Sequence, residues 1–115
     1  MSVSRFNTSV GAGLTVENIM AGSKFEFLAR PSAVRVFAVQ DLADLAEMDF
    51  TLGNVVVGER MRLTEVTAST GPSMLDDKIA AGVGAAGDRI QIRLVETGGA
   101  LAAITRVVIE IAELA

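Results

Sequence analysis

Through much of this chain the apolar residues fall on every second position. Met48, Phe50 and Leu52 alternate with Glu47, Asp49 and Thr51, and Ile90, Ile92 and Leu94 alternate with Arg89, Gln91 and Arg93. Side chains on an extended backbone point to its two faces in turn, so this spacing gives a strand with one buried and one wet face and no apolar stripe for a helix. Turn signals separate the runs. Gly53-Asn54 reads as a two-residue hairpin loop, Gly58 marks a bulge or bend, and Gly98-Gly99 reads as a hairpin connection between RIQIRLVET and AITRVVIEIAEL, where Val107, Ile109 and Ile111 line one face.

The other segments fit the same class. KFEFLA sets Phe25 and Phe27 against Lys24 and Glu26 and predicts a strand, ended by Arg30-Pro31-Ser32 because proline has no amide to donate. AVRVFAVQ is apolar on both faces and predicts a central strand covered on both sides. Leu14 and Val16 predict a short strand. DLADLAEM admits a short helix capped by Asp41, with Leu42, Leu45 and Ala46 at helical spacing, but the alternation that continues into EMDFTL favours a loop and a strand. VVVGERMRLTEV reads as one returning strand, and residues 67–87 as a long irregular segment. The expectation is an all-β, single-domain sandwich or barrel of seven to eight short, mostly antiparallel strands, with the jelly roll among the arrangements it allows. Residues 1–13, polar and glycine-containing, are expected as an N-terminal arm ahead of a β-sandwich domain over 14–115.

Composition narrows function more than it assigns it. Half of the 115 residues are apolar and only 21% are charged, a surplus that leaves apolar surface for a partner and predicts a homo-oligomer. The chain has no cysteine and no histidine, which removes disulfides, thiol catalysis, the usual general base and the usual zinc ligands. A net charge of −4 argues against a dedicated nucleic-acid binder, and the pairs Arg60/Arg62 and Arg89/Arg93 read as the solvated faces of strands. No apolar run approaches the roughly 20 residues of a membrane-spanning helix. MSVSRFNTSVGAG lacks the apolar stretch of a secretory leader, so synthesis in a cytoplasm is expected.

Motifs of chemistry are weak. GVGAAGDRI holds a G-x-G-x-x-G at Gly82, Gly84 and Gly87, but a dinucleotide site needs a strand before the glycines and a helix after them. Here charged Asp76, Asp77 and Lys78 stand before the glycines and a strand pattern comes after them, so the glycines read as a loop closing onto a strand through Gly87-Asp88. Asp76, Asp77 and Asp88 flank that loop and offer oxygens to a hard cation such as Ca²⁺, at a spacing that matches no EF-hand; solvated aspartates are the expectation. With phenylalanine the only aromatic type, no tryptophan or tyrosine platform for sugars exists. No catalytic residue, metal ligand or cofactor is expected, and no small-molecule substrate.

From Phe25 onward the order of elements resembles small β-rich structural proteins of tailless bacteriophages and environmental viruses. The pieces that carry the resemblance are KFEFLARPSAVRVFAV, the hairpin around FTLGNVVVGE, a proline-containing loop, and AAGDRIQIRLVETGGALAAITRVVIEI. The resemblance implies a jelly-roll or sandwich unit and a virion role as capsid, penton or decoration subunit, with homo-oligomers and other virion proteins as partners; it carries no functional residue over. In that role the expected subunit contacts are Val3, Phe6 and Val10 on the arm and Met74, Leu75 and Val83 on the long segment. The rival expectation is a cellular β-barrel module, cytoplasmic, that binds a small apolar ligand.

Overall fold

In the computed structural model the alternating segments are strands, and no helix occurs among the described residues, which are 2–41, 44–67, 71–72, 77–99 and 102–114. These residues form β1 (Ser2–Val10), β2 (Thr15–Val16), β3 (Ser32–Asp41), β4 (Ala46–Leu52), β5 (Val55–Arg62), β6 (Thr64–Val66), β7 (Lys78–Gly84), β8 (Ile90–Glu96) and β9 (Ala103–Glu113). One sheet runs β1-β9-β3, and the far side of β3 is shared by β7 and β6; the other runs β2-β8-β4-β5. All these pairings are antiparallel except that of β3 with β6. Four of them nest around the Gly53-Asn54 turn: β4 with β5, β3 with β7, β2 with β8 and β1 with β9. These nested pairs fall alternately in the two sheets.

Hydrophobic burial holds the two sheets together. Val34, Val36 and Ala38 of β3 and Val107, Ile109 and Ile111 of β9 pack against Met48, Phe50 and Leu52 of β4 and Ile90, Ile92 and Leu94 of β8. Each large side chain in this layer stabilises the fold by about 1.5–3 kcal/mol relative to exposure. The strands β4 and β8 alternate buried and half-buried residues along their length, as their sequence period demands. On β3 the outward-facing Phe37 and Val39 are buried as well, so this central strand is covered on both sides. Gly71 and Pro72, between β6 and β7, share a cleft with Val108 on that outer face.

The expected hairpin is present: Leu52 pairs with Val55, and Gly53 adopts φ +61°, the left-handed value that the first loop position of a type II′ turn requires. Gly58 sits at a real irregularity, because β5 loses register with β4 on both sides of Phe50.

Five expectations are corrected. Gly98-Gly99 is not a hairpin connection, because β8 pairs with β2 and β4 in one sheet while β9 pairs with β1 and β3 in the other. Residues 2–10 are not an arm but β1, paired with β9 at every position from Ser2–Ile111 to Val10–Ala103. Exposed Val3, Arg5, Asn7 and Ser9 give the segment its polar look, while its other face carries half-buried Phe6 and fully buried Val10. KFEFLA is no strand; Phe27 makes one isolated bridge to Arg89 and stands exposed, while Glu26 turns inward to its hydrogen-bond partners. VVVGERMRLTEV breaks at buried Leu63, where the chain leaves the β4 sheet and β6 joins β3 in the other. The fully buried Gln40 holds this crossing, donating to the Leu63 carbonyl at 2.9 Å and accepting the Ala46 amide at 2.8 Å. Finally, the irregular segment is shorter than expected, since β7 begins at Lys78 and includes Gly82 and Gly84.

Candidate functional site

The glycine motif has a packing role. A Cβ on Gly82 would lie 3.3 Å from Leu52 and Val57, and one on Gly84 2.6 Å from Leu28, so both glycines let β7 close against the opposite sheet. Gly87 takes φ +86° in the turn to β8. Its amide donates to the Leu28 carbonyl at 2.7 Å, and Asp88 accepts the Ala85 amide at 2.8 Å. The glycines lead into β8, a strand, so no helix terminus faces them.

Charged residues are likewise engaged with one another. Arg60 pairs with Glu47, Arg62 with Glu65, Arg89 with Glu26, and Arg93 with both Glu17 and Asp49. The expected arginine pairs therefore do not form a cationic track. Asp77 and Asp88 lie beyond opposite ends of the seven-residue β7; a strand of that length holds them roughly 20 Å or more apart. Asp76 lies outside the described residues. Among the described residues no group of three potential metal ligands occurs.

Two carboxylates that the sequence pattern does not single out are the most deeply engaged. Glu96, 3% exposed, accepts the amides of Gly13 at 2.7 Å, Gly98 at 2.7 Å and Gly99 at 2.8 Å. These amides, led by that of Gly13, hold its pKa below the ordinary glutamate value. Glu26 accepts the Gly22 amide at 3.0 Å and the Arg89 guanidinium at 2.6 Å, and its pKa is lowered by the Gly22 amide first and Arg89 next. A general acid at neutral pH needs the opposite shift, upward. Both groups act as clamps: Glu96 ties the β1–β2 link to the β8–β9 turn, and Glu26 ties the β2–β3 link to the start of β8. Glu96 and Gly13 are 83 positions apart, so no local signal in the sequence joins them.

The expected contact residues divide. Val83 and Val3 are exposed, at 68% and 46%; Phe6 is half-buried against the core and Val10 is wholly inside it. Met74 and Leu75 lie outside the described residues. Exposed apolar side chains gather at the two ends of the sandwich. Phe27, Val55, Val56 and Val83 stand near the Gly53-Asn54 turn, and Leu14, Leu45 and Ile104 at the opposite end beside the Glu96 clamp.

Shallow clefts open between some of the described residues. One, of about 210 Å³, lies between Arg5, Asn7 and Arg106 below and Gly71-Pro72 above. Another, of about 140 Å³, lies among Phe25, Phe27, Ser32 and Glu113. Both are smaller than the roughly 300–1,000 Å³ typical of small-molecule sites. No helix among the described residues is long and apolar enough to cross a membrane. Comparison with family models, curated proteins and solved structures gives no match to this chain.

Proposed function

We propose that the chain is a non-enzymatic virion structural protein, a capsid, penton or decoration subunit that assembles with copies of itself and with other virion proteins. The observation that carries the reading is the strand order. We read β1-β9-β3-β7 facing β2-β8-β4-β5 as a jelly roll, an architecture used by viral shell domains, lectins and cupins. Fold alone does not choose among these uses, and two features weigh toward a shell. Met20, Met48, Phe50, Ile92, Leu94 and Ile109 fill the space between the sheets, so an apolar ligand held there would have to displace close-packed core. Exposed valines and leucines stand at both ends of the sandwich, where neighbours in a closed assembly would cover them.

The test is the size of the purified protein at micromolar concentration, by light scattering on a sizing column and by electron microscopy. Rings or closed particles are expected. A clean 12.0 kDa species across that range overturns the reading.

A further inference from the structure

Every open sheet has edges whose free amides and carbonyls invite another strand, and natural sheets usually block them with short strands, bulges, charge or proline. Three of the edges here are blocked. The β2 edge is two residues long, and past it the Asn18 side chain occupies β8 instead, accepting the Ile92 amide at 3.0 Å and donating to the Ile90 carbonyl at 3.3 Å. The β5 edge is bulged twice and carries Arg60 at φ +51°. Beyond β3 the edge is split between three-residue β6 and β7, and β7 contains Gly82 and Gly84 and shifts register against β3 between Val36 and Phe37.

β1 has none of these devices. It pairs with β9 over nine consecutive positions without a shift, contains no proline or glycine, and carries one charge, Arg5. Among the described residues its backbone makes ladder bonds to β9 only.

We propose that this edge pairs with β1 of a second copy of the chain, antiparallel about a two-fold axis normal to the sheet, joining two five-stranded sheets into one. The inference deepens the self-assembly reading, and it rests on that reading only in requiring that copies associate. The sequence of β1 fixes the register. Such an axis keeps each face of the sheet on its own side, so inward Ser4, Phe6, Thr8 and Val10 must meet inward residues of the other copy, and the numbers of facing residues sum to an even value. A sum of 12 uses all nine residues, with Phe6 opposite Phe6, Ser4 opposite Thr8, Val3 opposite Ser9 and Arg5 opposite the uncharged Asn7. The neighbouring register centred on Arg5 sets two like charges face to face and shortens the ladder; the one centred on Asn7 also shortens it. Length, face and charge select the same alignment.

The chain has no cysteine, which makes the register directly measurable. Phe6→Cys places its thiol on the axis and should form a disulfide dimer under mild oxidation. Ser4→Cys should not, because its two copies lie about 14 Å apart along the ladder, beyond the roughly 7 Å Cα separation that a disulfide spans. A second pair of variants leaves the core untouched. In Val3→Lys/Ser9→Glu opposite charges face each other twice across the axis, and in Val3→Lys/Ser9→Lys like charges do. The dimer dissociation constants, from sedimentation equilibrium, should differ by about tenfold in that order. Within one copy positions 3 and 9 are about 20 Å apart, so the contrast reads the pairing between copies. If the wild type associates while both cysteines or neither cross-link and the charge pairs behave alike, the β1 pairing is overturned and self-assembly stands. If the wild type stays monomeric throughout, both fall.

Discussion

β1 and β5 are both outer strands, one in each sheet, and they are built in opposite ways. β1 keeps one register with β9 over its whole length, whereas β5 slips against β4 twice within eight residues. The slips are held by local polar contacts: the Arg60 amide donates to Asp49 Oδ1 at 2.6 Å, and the Arg60 guanidinium reaches Glu47 at 3.3 Å. β1 is held by its ladder and by Phe6 and Val10 pointing inward. An irregular edge thus gains its own anchors and turns away further strands, while a regular edge needs few anchors and stays open.

Removing β1 should have the largest effect. Phe6 and Val10 contribute about 1.5–3 kcal/mol each at full burial, and each lost ladder bond costs about 0.5–1.5 kcal/mol. Those terms together reach the 5–15 kcal/mol that holds a typical small domain, so deletion of residues 2–10 should leave a chain without a cooperative thermal transition. A β-type circular dichroism spectrum with a sharp melt in the truncated protein would break the comparison, making β1 an accessory rather than part of the core.

That outcome reverses what the sequence suggests for the same segment, and the reason is physical. β4 and β8 were legible because each has one strictly apolar face, and the Gly53-Asn54 turn because the chemistry of a two-residue loop is local. β1 was not, because an outer strand needs only two inward apolar residues and spends the rest on water. Glu26 was misplaced because two hydrogen bonds, one of them to a residue 63 positions away, outweigh the alternation of its neighbours. The sheet switch at Leu63 depends on Gln40, 23 positions earlier, whose burial no local pattern announces. Of the expected contact residues, Val83 and Val3 are exposed as such a role requires, while Val10 was hidden by the same polar neighbours that disguised β1.

A second, smaller effect sharpens the contrast through Glu96, which ties the chain just after β1 to the turn between β8 and β9. Its pKa in the fold is depressed below 4.5 by the glycine amides, Gly13 foremost. The stabilisation from this carboxylate is therefore fully present above the ordinary glutamate pKa and is lost as pH falls from there through the depressed value. Glu96→Gln should lower the urea midpoint at pH 7, and the gap to wild type should narrow on acidification through that window. Equal gaps at pH 7 and pH 3 would mean that the charge of the carboxylate adds nothing to the clamp.

The smallest effect belongs to the bulge in β5. A residue other than glycine at the left-handed φ of Arg60 is disfavoured by roughly 1–2 kcal/mol, so Arg60→Gly relieves strain. The same change raises the entropy of the unfolded chain by roughly 0.5–1 kcal/mol, and it removes an exposed pair with Glu47 that contributes about 0–1 kcal/mol. These terms nearly cancel, and Arg60→Gly should shift stability by less than about 0.5 kcal/mol, the range of an ordinary surface substitution. Asp49→Ala should cost more, about 1–2 kcal/mol, because it removes the acceptor of the Arg60 amide together with the partner of Arg93 at 3.2 Å. The order of the two variants in chemical denaturation decides what anchors the edge. Asp49→Ala as the more damaging means that β5 holds its bulge through the backbone amide, which glycine supplies equally well. The reverse order would place the anchor in the guanidinium, and the two outer strands would then differ in side-chain charge rather than in how their backbones are held.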